Sequence, residues 1–352
     1  MNKIPVAILA ATGSVGQRFV QLLDNHPWFE VVALTGSERG QGRTYAEVCR
    51  WLLATDMPAW ARDLPVLPST PDAVQVPLVF SGLPADIALE VEPLFAQSGA
   101  AVCSNASAYR RDPDVPILLP EVNADHAGII TQQRSHRGWS GLIATNPNCT
   151  STGMTVALKP LLDAFGLKRV FAVSMQALSG AGYPGVPSMD IIDNVIPNIS
   201  GEEQKVEWEP RKMLGSYQAG EIRLAEFGIS AHTNRVAVSD GHTVCLTMEL
   251  ERKASPEEIA AALAGYQAPE AARDLPSAPR PPIQVRGEDN RPQPRLDRMT
   301  GDGMTTVVGR VRADTLLDAR MVVLSHNTIR GAAGGSIYNA ELLVKLGYIQ
   351  GM

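Results

Sequence analysis

The stretch "PVAILAATGSVGQRFVQLLDNHPWFEVVALTG", residues 5–36, restricts the fold more than any other part of this chain. Residues 5–11 are a short apolar run that stops at a glycine-bearing turn, and they read as a buried strand. Residues 12–27 carry apolar side chains at helical spacing, with Ser14 as the capping residue and Pro27 as the stop. A second apolar run follows at 29–36. Strand, glycine turn, helix and strand within about 30 residues make one βαβ unit, which implies a parallel sheet. Apolar runs at 76–84 and 100–107 extend that sheet and stop at small polar residues. Between 43 and 70 the chain is rich in tryptophan and proline and reads as an insertion.

After Cys149 the pattern changes. Residues 149–165 form an amphipathic helix, and the runs 169–180, 229–250 and 304–314 are long strands broken by few helices. They predict a second, α+β domain with a mixed, mostly antiparallel sheet behind an N-terminal Rossmann-type domain. The expected boundaries are 1–148 for the nucleotide-binding domain, completed by a C-terminal helix at 331–352, and 149–330 for the catalytic and oligomerisation domain. The proline- and arginine-rich stretch 267–300 has no period and reads as an ordered arm or loop. A chain of 352 residues exceeds what one core supports, so two domains are expected on length as well.

Composition excludes several classes of function. The net charge of -6 carries no nucleic-acid footprint, and no apolar run approaches the ~20 residues of a membrane span. The four cysteines (Cys49, Cys103, Cys149 and Cys245) have no metal-like spacing and no disulfide lattice, so no metal is expected and a reduced, cytoplasmic protein is.

Two features carry chemistry. In "AATGSVG" (10–16), Gly13 and Gly16 suit a backbone that turns tightly around a pyrophosphate at a helix start, while Ala10 stands where a first glycine is usual. After the second strand, Ser37 with Arg39 and Arg43 suits a 2′-phosphate, whereas Glu38 alone would suit a ribose hydroxyl. In "TNPNCTS", Cys149 opens a helix behind Asn148. The helix dipole would lower its thiol pKa and the backbone N–H groups of that turn would face an oxyanion, although a lone cysteine is more often buried filler. His242 and Arg235, seven residues apart in "NRVAVSDGHTVCL", could reach one pocket as a proton carrier and a carboxylate clamp. His26, His126, His136, His232 and His326 read as surface or structural residues.

"TNPNCTS", "QALSGAGYPG", "NRVAVSDGH" and "NTIRGAAGGSIYNAELL", in this order, resemble the aspartate-β-semialdehyde dehydrogenase family, in its archaeal and fungal-like branch. The resemblance spans the whole chain, including "SAYRRDPDVPILLPEVN", "EEQKVEWEPRKML" and "RPQPRLDR". It implies NADPH-dependent, reversible reduction of β-aspartyl phosphate to aspartate semialdehyde and phosphate, within the biosynthesis of lysine, threonine and methionine. Cys149 would be the nucleophile, His242 the acid/base, and Gln176 would position the intermediate. Arg235 would clamp the substrate carboxylate, Glu209 would meet its amine, and Lys212, Arg110 and Asn148 would complete the substrate site, with Arg111 a rival to Arg110. NADP would be met by Thr12, Gly13, Ser14, Val15, Gly16, Ser37, Arg39, Ser81, Gly82 and Asn327. A homodimer or homotetramer is expected, with small molecules as the other partners. The alternatives are a related acyl reductase (malonyl-CoA or N-acetyl-glutamyl-phosphate), a cysteine hydrolase, and a non-catalytic NADP-binding regulator.

Overall fold

The computed structural model describes residues 3–350. Its first sheet contains β1 (Ile4–Leu9), β2 (Phe29–Thr35), β3 (Val66–Leu67), β4 (Leu78–Ser81), β5 (Ala101–Ser104) and β6 (Leu142–Thr145). Every pairing is parallel, in the order β3-β2-β1-β4-β5-β6. The order reverses between β1 and β4, which opens a crevice at the carboxyl ends of the strands, the place where doubly wound sheets take nucleotides. β4, β5 and β6 are buried along their whole length, as strands covered on both faces must be.

The glycine turn shows why each of its residues is small. Ala10 leaves β1 at φ 56°, in the left-handed region where a side chain costs about 1–2 kcal/mol and glycine nothing. A Cβ on Gly16 would lie 2.3 Å from the Ala10 carbonyl oxygen. The helix that follows spans Ser14–Leu22 with Gly13 at its N-cap, so Ser14 is its first residue and makes no capping bond. It ends five residues before Pro27, where Asn25 turns left-handed at φ 55°.

The stretch 43–70 is more ordered than an insertion. It contains two single-turn helices and supplies β3 to the sheet edge. The buried Gln17 ties it down: its amide donates to the Thr12 and Arg50 carbonyls at 2.9 Å each and accepts from Leu52 N at 2.7 Å.

The second sheet contains β7 (Leu167–Gln176), followed after a small hairpin of β8 (Ser216–Gln218) and β9 (Glu221–Arg223) by β10 (Gly228–Arg235), β11 (His242–Leu250), β12 (Ile283–Arg286), β13 (Thr306–Ala313) and β14 (Ala319–Ser325). Its order is β10-β7-β11-β14-β13-β12. The β10–β7 and β12–β13 pairs are parallel and the other three antiparallel, which gives the mixed, mostly antiparallel sheet expected. Residues 267–300 are not an arm: β12 is the edge strand of this sheet, flanked by the short helices Glu270–Arg273 and Pro294–Asp297. Prolines on both sides of a four-residue strand hid its period.

Helices Cys149–Phe165, Glu202–Met213 and Pro256–Ala264 cover one face of this sheet, with Leu158, Leu161, Val206 and Ile259 packed against Val170, Leu246, Met248 and Val323. The other face is uncovered, and Phe171 on it is 39% exposed. The chain then returns to the first sheet: Ile337, Ala340 and Leu343 of helix Gly334–Lys345 join the core around Val6, Phe19 and Phe80. The crossing is held by a buried pair, with Arg330 donating through Nη2 to Glu121 at 2.5 Å. The last two residues of the expected 331–352 helix lie outside the described residues.

Gly16→Ala should destabilise the fold by roughly 1–3 kcal/mol, since its methyl meets backbone that cannot yield. Ala10→Gly should be neutral or stabilise by up to about 1 kcal/mol, as relief at φ 56° offsets the added freedom of the unfolded chain. Chemical denaturation of both variants checks the pair, and a neutral Gly16→Ala would contradict this account of the turn.

Candidate active site

Strand register assembles half of the site. Arg235, the last residue of β10, is the parallel partner of Gln176, the last residue of β7. β11 starts at His242, with Thr243 opposite Met175 of β7. One end of the second sheet therefore presents a guanidinium, a carboxamide and an imidazole side by side. The first sheet supplies the rest: β6 runs out through Asn146, Pro147 and Asn148 into the helix that starts at Cys149. The two halves meet where Cys149 Sγ lies 3.2 Å from His242 Nε2. Cys149, Gln176 and Arg235 line a cavity of about 530 Å³ together with Ser14 and Val15 of the nucleotide turn, Asn105, Arg110 and Asn327, and His242 is buried behind the sulfur.

Asn148 starts the helix. Its Oδ1 accepts from Thr150 N at 2.9 Å and from Ser151 N at 3.1 Å, while Thr152 N donates to its backbone carbonyl. Most N–H groups of this turn are thus engaged, contrary to the expectation that the turn as a whole would face an oxyanion. Among the described residues, the Cys149 N–H is the donor there without an acceptor, beside the second amide hydrogen of Gln176, whose first goes to Ser174 Oγ at 3.2 Å. Asn148 also lines the cavity, with one hydrogen of its Nδ2 committed to Glu202 at 2.8 Å.

The electrostatics also depart from the sequence reading. Burial, with a contribution from Glu202, pushes the Cys149 thiol up to about 12 despite Arg110, Arg235 and the Thr150 N–H. Burial and then Arg235 and His326 pull His242 down to about 3. Burial is the largest cause of both shifts, and each favours the neutral form. Ala177 N donates to His242 Nδ1 at 3.1 Å, which leaves the ring proton on Nε2, aimed at the sulfur. Arg235 is fixed by the same residue, with Nη1 donating to the Ala177 carbonyl at 2.7 Å. Gly180 closes the loop over both, for a Cβ there would lie 2.9 Å from Arg235 Nη1 and 3.0 Å from His242 Nε2.

Helix Glu202–Met213 carries two glutamate–lysine pairs. Glu209 and Lys212 are not on the wall of the main cavity, although Glu209 lines a neighbouring one of about 300 Å³ with Arg110 and Lys205. Lys212 Nζ donates to the carbonyls of Arg110, Asp112 and Val115 at 2.7–2.8 Å, and both Glu209 oxygens are engaged inward. Two turns earlier, Glu202 and Lys205 do line it, Lys205 Nζ standing 3.6 Å from Glu202 Oε2. The sequence reading passed over that pair although it repeats the same E-x-x-K spacing. Arg110 is buried and lines the cavity, while Arg111 is exposed and lies 4.7 Å from the centre of the Trp208 ring.

A smaller cavity of about 210 Å³ beside the glycine turn is lined by Thr12, Ser37, Arg39 and Arg43, while Glu38 lies outside it. Two arginines and two hydroxyls fit a phosphate there, with the Glu47 carboxylate also on the wall. Gly13 at the helix start and Gly82, whose Cβ would sit 3.6 Å from Gly16 N, keep the crevice open to backbone approach. Ser81 is fully buried and lines neither cavity. Asn327 reaches the main cavity, with its amide bridging Ser179 Oγ and Gly241 N at 2.8 Å each. His26, His126 and His326 are buried, hydrogen-bonded residues apart from the cavity wall.

Known proteins match this chain along nearly its whole length. The family described as "Semialdehyde dehydrogenase, NAD binding domain" matches residues 5–129, and "Semialdehyde dehydrogenase, dimerisation domain" matches 158–330. Aspartate-semialdehyde dehydrogenase of Archaeoglobus fulgidus is 51% identical over 340 residues, covering 97% of this chain and 98% of that one. The chain belongs to the aspartate-semialdehyde dehydrogenase family. The Schizosaccharomyces pombe member is 43% identical over 97% of this chain and 98% of its own. The crystal structure of the Candida albicans aspartate-semialdehyde dehydrogenase with NADP superposes with a TM-score of 0.91 at 41% identity, covering 99% of this chain and 100% of that one.

In the enzyme free of ligands, the Cys149 thiol should alkylate slowly at neutral pH. The rate should climb about tenfold per pH unit beyond about pH 9, because only the thiolate reacts. Iodoacetamide modification followed against pH measures this. A plateau below about pH 8 would mean a resting thiolate–imidazolium pair and would overturn the neutral assignment.

Proposed function

We propose that this chain catalyses the reversible, NADP-dependent interconversion of β-aspartyl phosphate with aspartate semialdehyde and phosphate. The observation that carries this is the meeting, at one cavity, of a cysteine backed by a histidine, the nucleotide turn and three separate cations, Arg110, Lys205 and Arg235. A cysteine hydrolase has no use for the nucleotide turn, and a non-catalytic regulator has none for the pair. The family's NADP-bound member from Candida albicans and a Vibrio cholerae member, aspartate-semialdehyde dehydrogenase II complexed with ASA (TM-score 0.77, 25% identity), support both ligands.

In the reductive direction Cys149 Sγ attacks the acyl carbon and expels the phosphate, which leaves with the thiol proton as hydrogen phosphate, and a thioester remains. Arg110 and Lys205 hold the phosphate, Arg235 forks onto the substrate carboxylate, and Glu202 faces its amine. The bound nicotinamide supplies the hydride in this direction and takes it in the other. The Cys149 N–H and Gln176 meet the carbonyl oxygen as it gains charge, and when the resulting oxyanion collapses to the aldehyde and expels Cys149 as a thiolate, His242 Nε2–H stabilises that thiolate until a proton returns to it from water. Thr12, Ser37, Arg39 and Arg43 hold the 2′-phosphate, with residues 1–148 and 331–352 as the nucleotide domain and 149–330 as the catalytic one.

The uncovered face of the second sheet, with Phe171 and Val173 on it, is read as the surface where a second copy packs, in keeping with the family's dimerisation domain. Four free cysteines suit the cytoplasm. A solution mass of one chain by light scattering would remove the dimer.

Nicotinamide absorbance on adding aspartate semialdehyde and phosphate tests the reaction. It should appear with NADP and fall by several orders of magnitude in Cys149→Ser, whose hydroxyl stays protonated, while nucleotide binding persists. Arg39→Ala should weaken NADP by roughly 1–3 kcal/mol and leave NAD nearly unchanged. Equal loss for the two cofactors would sink the 2′-phosphate site, and a fully active Cys149→Ser would sink the nucleophile.

A further inference from the structure

We infer that Glu92 is a positioning residue which, through Ser104, holds the loop that brings Asn105 and Arg110 to the main cavity, and that its charge bears on Arg110. The inference rests on the reading of Arg110 as a phosphate ligand given above. Glu92 lies on helix Ala85–Gln97, and it shares the buried side of that helix with Ala88, Phe95 and Ala96. Its neighbours are small or apolar, as a side packed on a sheet favours, whereas a fully buried carboxyl is costly there unless hydrogen bonds hold it. It reaches the carboxyl ends of β4 and β5, where Ser81 and Ser104 are register partners, and Ser104 Oγ donates to Glu92 Oε1 at 2.6 Å.

Ser104 is a junction. Its hydroxyl accepts from Ala106 N at 3.1 Å while donating to Glu92, and its carbonyl accepts from Asn146 N at 2.7 Å, on the run that leads to Cys149. The next residue, Asn105, donates through its backbone N–H to the Ser81 carbonyl at 3.0 Å, and its own carbonyl accepts from Arg110 Nη2 at 2.9 Å. A hydroxyl has one proton, so giving it to Glu92 leaves a lone pair for Ala106 N and fixes the turn with which the loop starts. Without Glu92 that proton becomes a buried donor in need of another acceptor, and the turn shifts with it.

The charge of Glu92 has a separate effect. Burial pushes the carboxyl up to about 7, although the Ser104 and Ser81 hydroxyls and the Arg110 charge oppose the shift. The strands under the helix bring no charged side chain, Asp86 and Glu90 on the helix itself are exposed, and Tyr109 is the other titratable group beside it. Glu92 is therefore neutral in mild acid and becomes ionised as the pH rises through about 7. A negative charge at that point competes with phosphate for the same guanidinium.

Two variants separate the tie from the charge. Glu92→Leu has a similar volume and removes the acceptor. Glu92→Gln keeps an oxygen for Ser104 and puts its N–H groups at Oε2, which has no protein partner, so it copies the neutral acid at every pH. In a steady-state assay with phosphate and aldehyde varied separately, Glu92→Leu should lower kcat/KM for phosphate roughly tenfold and change the aldehyde KM by less than about threefold. Ser104→Ala should cost about as much, and the double variant no more than either alone; Ser104→Ala carries this arm if Glu92→Leu fails to fold. Glu92→Gln should match the wild type within about twofold at about pH 6 and exceed it by roughly threefold or more at about pH 8.5 in kcat/KM for phosphate. Taking the ratio of the two enzymes at each pH cancels the titration of phosphate itself. Equal changes in both KM values, full additivity with Ser104→Ala, or a ratio that stays flat with pH would each overturn the inference. Arg110→Lys without any phosphate phenotype would remove the underlying reading, whereas Arg110→Lys impaired beside a normal Glu92→Leu would remove the inference alone.

Discussion

A helix that begins at its own nucleophile must satisfy its first N–H groups without covering the sulfur. Asn148 meets that constraint: its side chain takes the N–H groups of Thr150 and Ser151, and the Cys149 N–H is left free. Once Asn148 is committed in this way, its remaining donors need acceptors, and these come from Glu202 and Glu209 on the neighbouring helix. The position of that helix then follows, and so does that of Arg110 and Lys205. Much of the polar architecture of the site is a chain of obligations that starts at one cap.

Burial is the second organising force. The cavity walls hold carboxylates, guanidinium groups and a thiol away from water, where an unpaired charge is costly and a paired one must be well oriented. The carboxylates and cations solve this by pairing, as Glu121 with Arg330 and Glu209 with Arg110 do. The thiol and imidazole solve it by being neutral. The site therefore stores its reactivity in geometry, with an Nε2 proton already facing the sulfur. Substrate charges brought into the cavity would be what disturbs the balance.

How far the sequence disclosed this can be judged residue by residue. The βαβ unit and the helix at 149–165 were legible because period and punctuation agree there, and the structural helix spans Cys149–Phe165. Which of two glutamate–lysine pairs reaches the main cavity was not. Glu202 and Lys205 repeat the spacing of Glu209 and Lys212 seven residues away, and two helical turns bring a residue back to nearly the same face. Spacing alone cannot rank two rows on one face; only the depth at which the helix meets Asn148 does. The thiol pKa was misjudged for a related reason, since a dipole is visible in a sequence and desolvation is not. β12 was hidden because a four-residue edge strand between prolines has too little length to show a period.

Gln176 and Arg235 face the same cavity only because they are register partners on adjacent strands, with His242 opening the next. Side chains alternate faces along a strand, so a one-residue insertion inside β7 or β10 would send half of this set to the opposite side of the sheet. The chain can change length without that penalty only where it has left the ladder, as at 183–194, before Ile196 pairs with Arg235. Any lineage or designer seeking to reshape the substrate pocket is thereby confined to loop edits, with the strand lengths held fixed by parity.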